Sequence, residues 1–268
     1  MKNKLVIVTG ASSGIGKACA VEFAQKGADV VLVARSESKL EVVAEQISSY
    51  GVQVLSVVAD VSQEEDCKKM VDEVLLKFGK IDVLVNNAGI SMRAAFSEID
   101  LSVLKKVMGV NFWGTVYCTR YALASILENK GSVVGVSSIA GYKGLPGRTG
   151  YSSSKFAMHG FLESLRLENL KNGLHVLIAC PGFTASNIRN TALTGDGSSQ
   201  GETPRDEQKM MQPEEVATYI VDAVVKRKDR LTLTFNGKLT VLLNKFFPKW
   251  VDKLVYNHMR KEADAPFK

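Results

Sequence analysis

Four side chains at fixed intervals suggest proton and hydride chemistry at a carbonyl group. Tyr151 and Lys155 are four residues apart, Ser138 precedes Tyr151 by thirteen positions, and Asn111 lies further upstream. On a helix that begins near Tyr151, a spacing of four places both side chains on one face. A neighbouring ammonium favours phenolate, so we expect Lys155 to lower the pKa of Tyr151 from about 10 by roughly two to three units. Tyr151 would then protonate a carbonyl oxygen, while the Ser138 hydroxyl stabilises the charge developing there.

A glycine-rich turn near the start of the chain strengthens the interpretation of Tyr151 and Lys155 as catalytic. Alone, a tyrosine and a lysine four residues apart also fit the solvent-exposed face of an ordinary helix. The apolar run from Lys4 to Val8 leads into Thr9-Gly10-Ala11-Ser12-Ser13-Gly14-Ile15-Gly16. This pattern predicts a strand, a tight turn and a helix over 17–26 whose amino end attracts phosphate. With a second strand over 29–34, it predicts a dinucleotide-binding βαβ unit, although the glycine spacing differs from G-x-G-x-x-G.

The remaining pattern indicates an α/β fold with a doubly wound parallel sheet of the Rossmann type. Helical stretches alternate with strand-like runs at 4–9, 29–34, 52–59, 81–86, 132–137 and 174–180. The 268 residues, 46% of them hydrophobic, are enough to bury a large core. We therefore expect one domain at 1–236, followed by a helical C-terminal extension at 237–268.

Taken together, these motifs resemble the short-chain dehydrogenase/reductase family over roughly residues 4–230. Asn86-Asn87-Ala88-Gly89 is similar to the family's signature after the fourth strand, and Pro181-Gly182 to a later turn. The resemblance implies that Tyr151 is the acid-base, that Ser138 orients the carbonyl, and that Lys155 also binds the nicotinamide ribose. It also implies that Asn111 helps to hold a proton-relay water, which completes a set of four candidate catalytic residues.

The resemblance further implies a set of cofactor-binding positions in the turn, at strand ends and on the catalytic helix. They are Gly10, Ser12, Ser13, Gly14, Ile15, Gly16, Arg35, Ser36, Asp60, Val61, Asn87, Ala88, Gly89, Tyr151, Lys155, Pro181, Gly182, Thr184 and Ser186. Ser186 departs from the threonine that the family often has there, but it keeps a hydroxyl for the carboxamide of the nicotinamide.

Cofactor choice depends on the end of the second strand, where an acidic residue would bind the adenosine ribose and repel a 2′-phosphate. This chain has Arg35 and Ser36 there, and a guanidinium suits phosphate contact. The pattern favours NADP(H) over NAD(H), with the alternative that Arg35 is merely solvated and Glu37 meets the ribose. Asp60 resembles the family's adenine-contacting aspartate; the alternative is a helix cap, for which Ser62 competes.

Composition gives little sign of a metal, nucleic acid or a secreted disulfide scaffold. Four isolated cysteines and three isolated histidines have no metal-ligand or disulfide-framework spacing, so we expect no metal and reduced cysteines. The net charge of +6 comes from scattered basic residues, which argues against nucleic acid. No apolar leader precedes the first strand, so we expect a cytoplasmic protein.

Substrate choice should depend on regions with weaker signals. The polar, glycine-rich segment 191–212 resembles the family's substrate lid by position, with an inert surface loop as the alternative. Met92, Tyr142, Leu145 and Phe183 either wall an apolar pocket or belong to the core. The sequence does not separate these alternatives.

Beyond residue 237 apolar residues recur near helical spacing. They are Leu239, Leu242, Leu243, Phe246, Phe247, Trp250, Leu254 and Val255, interleaved with lysines. The charges and Pro248 exclude a membrane-spanning helix, but a basic amphipathic segment can lie on anionic lipid. The alternatives are packing across the chain's own pocket or a dimer contact. This tail and the stretch Thr194–Ser198 are similar to the dehydrogenase/reductase member 7B-like branch of the family, whose members are linked to lipids or membranes.

We interpret the chain as an NADPH-dependent oxidoreductase that reduces a carbonyl to an alcohol, or the reverse, on an apolar, lipid-like or 3-oxoacyl substrate. One alternative is a 3-oxoacyl-carrier-protein reductase of fatty acid synthesis. Another is a non-catalytic NADP-binding sensor or scaffold, which would have no use for Tyr151 and Ser138 together. Helices near 102–127 and 152–171 resemble the family's dimerisation pair, so we expect a homodimer or homotetramer.

Overall fold

Parallel strands build one twisted sheet in the computed structural model, which describes residues 1–203, 210–262 and 264–267. In the described part of the chain the sheet has seven strands, all parallel, in the order β3-β2-β1-β4-β5-β6-β7. The strands are β1 (Leu5–Thr9), β2 (Asp29–Ala34), β3 (Val54–Val58), β4 (Val83–Asn86), β5 (Ser132–Val136), β6 (His175–Cys180) and β7 (Arg230–Thr232). The six predicted strands and the doubly wound parallel sheet are confirmed; the three-residue β7 was not predicted.

Helices cover both faces of this sheet. Their bounds are α1 (Gly14–Gln25), α2 (Glu37–Ser48), α3 (Glu64–Phe78), α4 (Leu101–Met108), α5 (Gly114–Glu128), α6 (Thr149–Glu168), α7 (Pro213–Val225), α8 (Phe235–Phe246) and α9 (Pro248–Met259). Short 3-10 turns lie at Phe96–Glu98 and Ile139–Gly141, and one π-helical turn lies at Gly109–Trp113. Helices α1 and α7 pack together over one buried apolar cluster, and α3 and α5 over the other.

The strand order reverses between β1 and β4, and this reversal sets the position of the site. β1 pairs with β2 on one side and with β4 on the other, all running in parallel. The loops that leave the carboxyl ends of β1 and β4 therefore diverge to opposite faces and leave a crevice between them. Ligands of doubly wound sheets bind in such a crevice.

The C-terminal part of the chain adds a helical pair outside this sandwich. α8 begins at Phe235, and Pro248 occupies the first turn of α9, where its missing N–H costs no helical hydrogen bond. Val251 and Met259 of α9 are buried, whereas Phe246 and Trp250 are exposed. Among the described residues, none of the helices combines the length and apolar character that a bilayer crossing requires.

Candidate active site

The turn after β1 is shaped by glycines that approach other backbone closely. Gly10 and Gly14 have φ values of +66° and +53°, a region that side chains disfavour. A Cβ on Gly10 would lie 2.9 Å from the Cα of Ala88, and one on Gly16 would lie 2.2 Å from the carbonyl oxygen of Gly10. These contacts explain the glycine pattern, because larger residues would push the turn away from the start of α1.

The segment after β4 is tied to the same turn by hydrogen bonds. The backbone N–H groups of Asn87 and Ala88 each donate to Thr9 Oγ1 at 3.0 Å. The Asn87 amide donates to the carbonyl oxygen of Thr9 at 2.9 Å. The predicted turn and the predicted signature after β4 thus form one rigid unit at the crevice.

A cavity of about 490 Å³ opens over this unit. Its wall contains most of the predicted cofactor positions, namely Gly10, Ser12, Ser13, Gly14, Ile15, Arg35, Ser36, Asp60, Val61, Asn87, Ala88, Gly89 and Ser186. Gly16 lies beneath the turn, where it permits the close packing described above. A dinucleotide fits this cradle: the glycines leave no side chain in the floor, and α1 starts at its edge.

One end of this cavity is basic. Arg35 and Ser36 lie at the end of β2, and Lys39, which sequence analysis did not single out, joins them on the wall. Arg35 Nη1 lies 3.9 Å from Asp60 Oδ2, an exposed pair that holds the guanidinium only weakly. Asp60 Oδ1 accepts from the N–H and the hydroxyl of Ser62 at 2.9 and 2.8 Å, so Asp60 both lines the cavity and stabilises the turn before α3.

The catalytic candidates on α6 lie where predicted, on one face of a continuous helix. Tyr151 lines the same pocket as Ser138, which follows β5. Lys155 is 3% exposed, donates to the carbonyl oxygen of Val136 at 3.0 Å, and has its ammonium 5.7 Å from the centre of the Tyr151 ring. The two helical residues and Ser138 therefore share one site.

The lowered pKa predicted for Tyr151 is wrong in this geometry. Burial raises the pKa of Tyr151, whereas the Ser138 hydroxyl and the positive charges of Arg148 and Arg189 lower it. Burial likewise lowers the pKa of Lys155 to about 8. Since Lys155 bonds to a carbonyl oxygen and not to the phenol, its effect on Tyr151 is weaker than the four-residue spacing suggests.

Asn111 is held by its neighbours rather than by the tyrosine. Its Oδ1 accepts from the N–H of Ile90 at 2.8 Å, and its amide donates to the Ile90 carbonyl at 3.0 Å and to Ser154 Oγ at 2.9 Å. The residue sits in the π-helical turn between α4 and α5, an irregularity common at functional sites. A Cβ on Gly89 would lie 3.3 Å from Asn111 Oδ1 and 3.7 Å from Lys155 Nζ. Asn111 and Lys155 thus both lie beside the backbone of Gly89.

A smaller pocket of about 140 Å³ contains Tyr151, Ser138 and Lys155. It shares Ile15, Asn87, Gly89, Ser186 and Ile188 with the larger cavity, so the two adjoin. The predicted Pro181, Gly182 and Thr184 line this smaller pocket. The predicted positions therefore divide between a nucleotide end and a reaction end, and Asn111 lines neither pocket.

Two buried arginines on the reaction pocket were missed by sequence analysis. Arg148 Nη1 donates to Ser91 Oγ at 3.1 Å, and Arg189 donates to Thr203 Oγ1 at 3.1 Å and to the Thr184 carbonyl at 3.0 Å. Arg148 is 7% and Arg189 6% exposed. Isolated arginines in polar segments normally predict solvent exposure, so only their nearness to Tyr151 and Pro181 in the sequence offered a signal.

The segment predicted as a lid contributes to the nucleotide cavity. Thr191, Leu193 and Ser199 lie on its wall, and Leu193 forms a β-bridge with Met92. Positions 204–209 of the predicted lid lie outside the described residues. Four residues were predicted to belong either to the pocket wall or to the core. Leu145 and Phe183 line the reaction pocket, whereas Met92 is fully buried and Tyr142 packs on His159.

His159 continues the face of α6 one turn beyond Lys155. Its Nε2 lies 2.7 Å from Ser137 Oγ, next to Ser138, and its ring packs edge-on to Tyr142. Burial, with the nearby charges of Lys155 and Arg230, lowers the pKa of His159 to about 4. A neutral imidazole therefore supports the loop that carries Ser138.

The C-terminal helices pack against the rim of this site on their inner side. The Asn244 amide donates to the Tyr142 carbonyl at 3.1 Å, and Asp252 pairs with Lys143. Arg93 and Glu262 form a largely buried ion pair with 3.8 Å between Nε and Oε2. A groove between α9 and the loop after β5 is lined by Leu145, which also lines the reaction pocket.

Comparison with known proteins identifies the class that this fold and site define. A statistical description of the family "short chain dehydrogenase" matches residues 4–196. The chain therefore belongs to the short chain dehydrogenase family, whose members are oxidoreductases that act on CH–OH and C=O groups and bind a nicotinamide cofactor.

Particular relatives refine this picture. The chain is 36% identical over 273 residues to dehydrogenase/reductase SDR family member 7B of Rattus norvegicus, covering 99% of this chain and 84% of that protein. It is 41% identical over 197 residues to 11-beta-hydroxysteroid dehydrogenase 1A of Arabidopsis thaliana. That match covers 72% of this chain and 56% of the relative. An alcohol dehydrogenase of Thermococcus sibiricus, solved with 5-hydroxy-NADP, superposes with a TM-score of 0.73 at 27% identity. The superposition covers 85% of this chain and 93% of that structure. The predicted family and its 7B-like branch are thus confirmed.

Proposed function

We propose that the protein is an NADPH-dependent oxidoreductase that reduces a carbonyl to an alcohol, or catalyses the reverse, on an apolar, lipid-like or 3-oxoacyl substrate. The observation that carries this proposal is that the Tyr151 phenol, the Ser138 hydroxyl and Lys155 line one pocket that adjoins the nucleotide cavity. A proton donor and a hydroxyl that bind one oxygen are what carbonyl reduction needs from the protein.

The proposed mechanism assigns one task to each side chain. NADPH, when bound, supplies the hydride. Ser138 donates a hydrogen bond to the carbonyl oxygen, and Tyr151 gives that oxygen its proton. Lys155, protonated below about pH 8, stabilises the phenolate left on Tyr151. Asn111 fixes the Ile90 backbone beside this site, and in the reverse direction Tyr151 accepts the proton.

The preference for NADPH is supported by the basic end of the nucleotide cavity. Arg35, Ser36 and Lys39 offer a guanidinium, a hydroxyl and an ammonium to a 2′-phosphate. The Thermococcus sibiricus relative was solved with an NADP derivative, which points the same way. NAD(H) lacks the phosphate and would gain little from these cations.

The apolar substrate class is supported by the reaction pocket and by the relatives. Leu145, Phe183 and Ile188 contribute apolar surface near Tyr151. Several relatives are named 11-beta-hydroxysteroid dehydrogenases, and a steroid is a largely apolar carbonyl or alcohol compound. Segment 191–212 would act as the lid of this pocket, and residues 1–236 as the catalytic domain.

A homodimer or homotetramer in the cytoplasm is part of the proposal, with membrane contact through the extension at 237–268. Trp113 of the π-helical turn and Phe156 of α6 are both 46% exposed, and Trp113 stacks on Tyr117 of α5. Exposed aromatic side chains such as these are enriched at protein–protein interfaces. Light scattering during gel filtration measures the oligomeric state directly.

The test compares NADPH and NADH oxidation against short 3-oxoacyl thioesters, steroids, long-chain 3-keto lipids and small aromatic ketones. We expect turnover with NADPH on the lipid-like members. Activity restricted to acyl thioesters would favour the carrier-protein reductase, and NADPH binding without any turnover would favour the sensor or scaffold. Equal or better use of NADH would overturn the cofactor assignment.

The role of Tyr151 is tested by Tyr151→Phe, with Tyr219→Phe as its control because Tyr219 is exposed on α7. We expect Tyr151→Phe to abolish turnover while NADPH still binds, since the phenol hydroxyl serves the proton and not the nucleotide. The control should keep its activity. Loss of NADPH binding together with turnover in Tyr151→Phe would remove the assigned role.

A further inference from the structure

The outer side of the C-terminal helical pair carries a stripe of exposed apolar side chains, here called the α8–α9 face. On α8 it comprises Phe235, Leu239, Leu242 and Phe246, and on the start of α9 it continues with Phe247, Trp250 and Leu254. These side chains are 78%, 40%, 54%, 68%, 59%, 52% and 45% exposed, respectively. Spacings of three and four place each set on one side of its helix. Seven large exposed apolar residues on two consecutive helices exceed the scattered exposure of an ordinary surface.

The opposite side of each helix is already occupied. On α8, Gly237 is buried and leaves no room for a side chain, because a Cβ there would lie 2.9 Å from Ile139 Cδ1. On α9, Val251 and Met259 are buried, and Asp252 is bound to Lys143. The helices therefore cannot roll over to bury the α8–α9 face without losing these contacts.

Basic residues accompany the exposed apolar residues on both helices. Residues 235–261 contain six lysines and arginines but only one acidic residue, Asp252. Lys238 and Lys245 of α8 and Lys249 and Lys253 of α9 are exposed. By helical spacing, Lys238 and Lys245 border the apolar stripe of α8. An apolar stripe with a basic border fits the boundary between the acyl chains and the headgroups of anionic lipid.

We infer that the α8–α9 face docks on an anionic lipid bilayer, with its aromatic and leucine side chains among the acyl chains and its lysines on the headgroups. This inference deepens the membrane contact in the proposed function by assigning the residues and the lipid charge. It does not depend on turnover, so it can fail while carbonyl reduction stands.

A second copy of the chain fits this face less well than a lipid surface does. A two-fold contact would place the same patch against itself, so the lysines would meet the lysines of the other subunit. Like charges brought together in this way oppose association. An anionic bilayer instead offers charge of the opposite sign over the whole area of the face.

The test uses the full chain with the substitution Trp113→Phe. Of the chain's two tryptophans, this variant keeps only Trp250. The protein is mixed with vesicles of pure phosphatidylcholine or of phosphatidylcholine with about a third phosphatidylglycerol. We expect flotation with the anionic vesicles, a blue shift of Trp250 emission on binding, and weakening by salt. Each lysine replaced, for example Lys245→Gln, should weaken binding by roughly five-fold.

The matched pair is Phe246→Ser on the face and Leu76→Ser on α3, where Leu76 is 89% exposed. We expect Phe246→Ser to weaken vesicle binding at least ten-fold and Leu76→Ser to leave it unchanged, with both variants soluble and active on a water-soluble ketone. No flotation of the parent protein, or equal binding by both variants, would overturn the inference. So would a Trp250 shift that follows protein concentration without vesicles, which would assign the face to a second copy.

Discussion

The two walls of the site are built in opposite ways. The nucleotide wall, formed by the turns after β1 and β4, is fixed by hydrogen bonds from Asn87 and Ala88 to Thr9 and by glycines with no spare room. The substrate side, formed by the segment after β6 with α8 and α9 at its rim, has side chains in partial exposure, such as Phe183 at 43%. A cofactor shared across a family permits a rigid wall, whereas a substrate that differs between members calls for replaceable surface.

The first way to test this contrast is to remove the hydroxyl at the junction of the two walls. Ser138→Ala should lower kcat by about 100- to 1,000-fold, as loss of one donor to a developing oxyanion does. NADPH affinity should stay unchanged because Ser138 lies on the reaction pocket and not on the nucleotide cavity. Steady-state kinetics and NADPH titration measure the two quantities.

The control for Ser138→Ala is Ser137→Ala. Ser137 is the neighbouring residue, is buried in the loop after β5, and bonds to His159. It should lose less than ten-fold in kcat. An equal loss in both variants would mean that the loop, and not the Ser138 hydroxyl, sets the rate.

The rigidity of the nucleotide wall is tested by Gly16→Ala. The new Cβ would meet the Gly10 carbonyl oxygen at 2.2 Å, so we expect a loss of about 1–3 kcal/mol in the free energy of unfolding together with weaker NADPH binding. Chemical denaturation and NADPH titration measure both effects.

Gly160→Ala is the matched control for that change. Gly160 also lies in a helix, α6, but a Cβ there meets nothing within 4 Å. It should stabilise the protein by about 0.5–1 kcal/mol through helix propensity alone. Stabilisation by Gly16→Ala as well would show that the turn after β1 can relax.

The same contrast explains which features were predictable from sequence. Apolar runs such as Lys4–Val8 and the glycines that follow them encode local backbone demands, so β1, its turn and the presence of α1 were predicted. The helix begins at Gly14, three residues before the predicted start. Tyr151 and Lys155 share a helix face for the same reason. The strand β7 is too short and too polar, at Arg230–Thr232, to leave a periodic signal.

Features that depend on long-range packing were not predictable. The spacing of Tyr151 and Lys155 could not reveal that Lys155 bonds to the Val136 carbonyl, so the direction of the Tyr151 pKa shift was wrong. Arg148 and Arg189 carry no motif, and their burial follows from partners such as Ser91 and Thr184, which are distant in the sequence or belong to loop backbone.

The pH dependence of reduction should report the charge of Lys155 at the reaction end of the site. Burial lowers the pKa of Lys155 to about 8 and raises that of Tyr151, so on the alkaline side Lys155 loses its proton first. Reduction should therefore be full below about pH 8 and fall as pH rises through that value, by up to about ten-fold per unit. The log of kcat against pH measures this.

Lys155→Met is the reference for that profile. It should have low activity with no break near pH 8, because it carries no titrating ammonium. A wild-type profile that stays level through pH 9.5 would show that the charge on Lys155 is not needed, or that its pKa is not lowered in the working enzyme.

The basic end of the nucleotide cavity should contribute a smaller effect. Arg35→Ala should raise the KM for NADPH by roughly 10-fold or more and leave the KM for NADH nearly unchanged, because a charge-assisted contact to the 2′-phosphate is lost. Lys17→Ala, in α1 but outside the residues that line the cavity, is the control. Similar increases with both cofactors would place Arg35 outside the phosphate contact.

The smallest effect concerns the replaceable wall and how an apolar substrate reaches it. If the α8–α9 face lies on a bilayer, an apolar substrate dissolved in that bilayer lies in the same layer as the enzyme. Anionic vesicles should then lower the KM for a long-chain ketone by a few-fold in the wild type and not in Trp250→Ser, since membrane binding concentrates enzyme and substrate in one layer. The KM for a water-soluble ketone should be unaffected in both proteins. If vesicles lower the KM equally in Trp250→Ser, lipid acts on the substrate alone. The α8–α9 face would then take no part in bringing the substrate to the pocket.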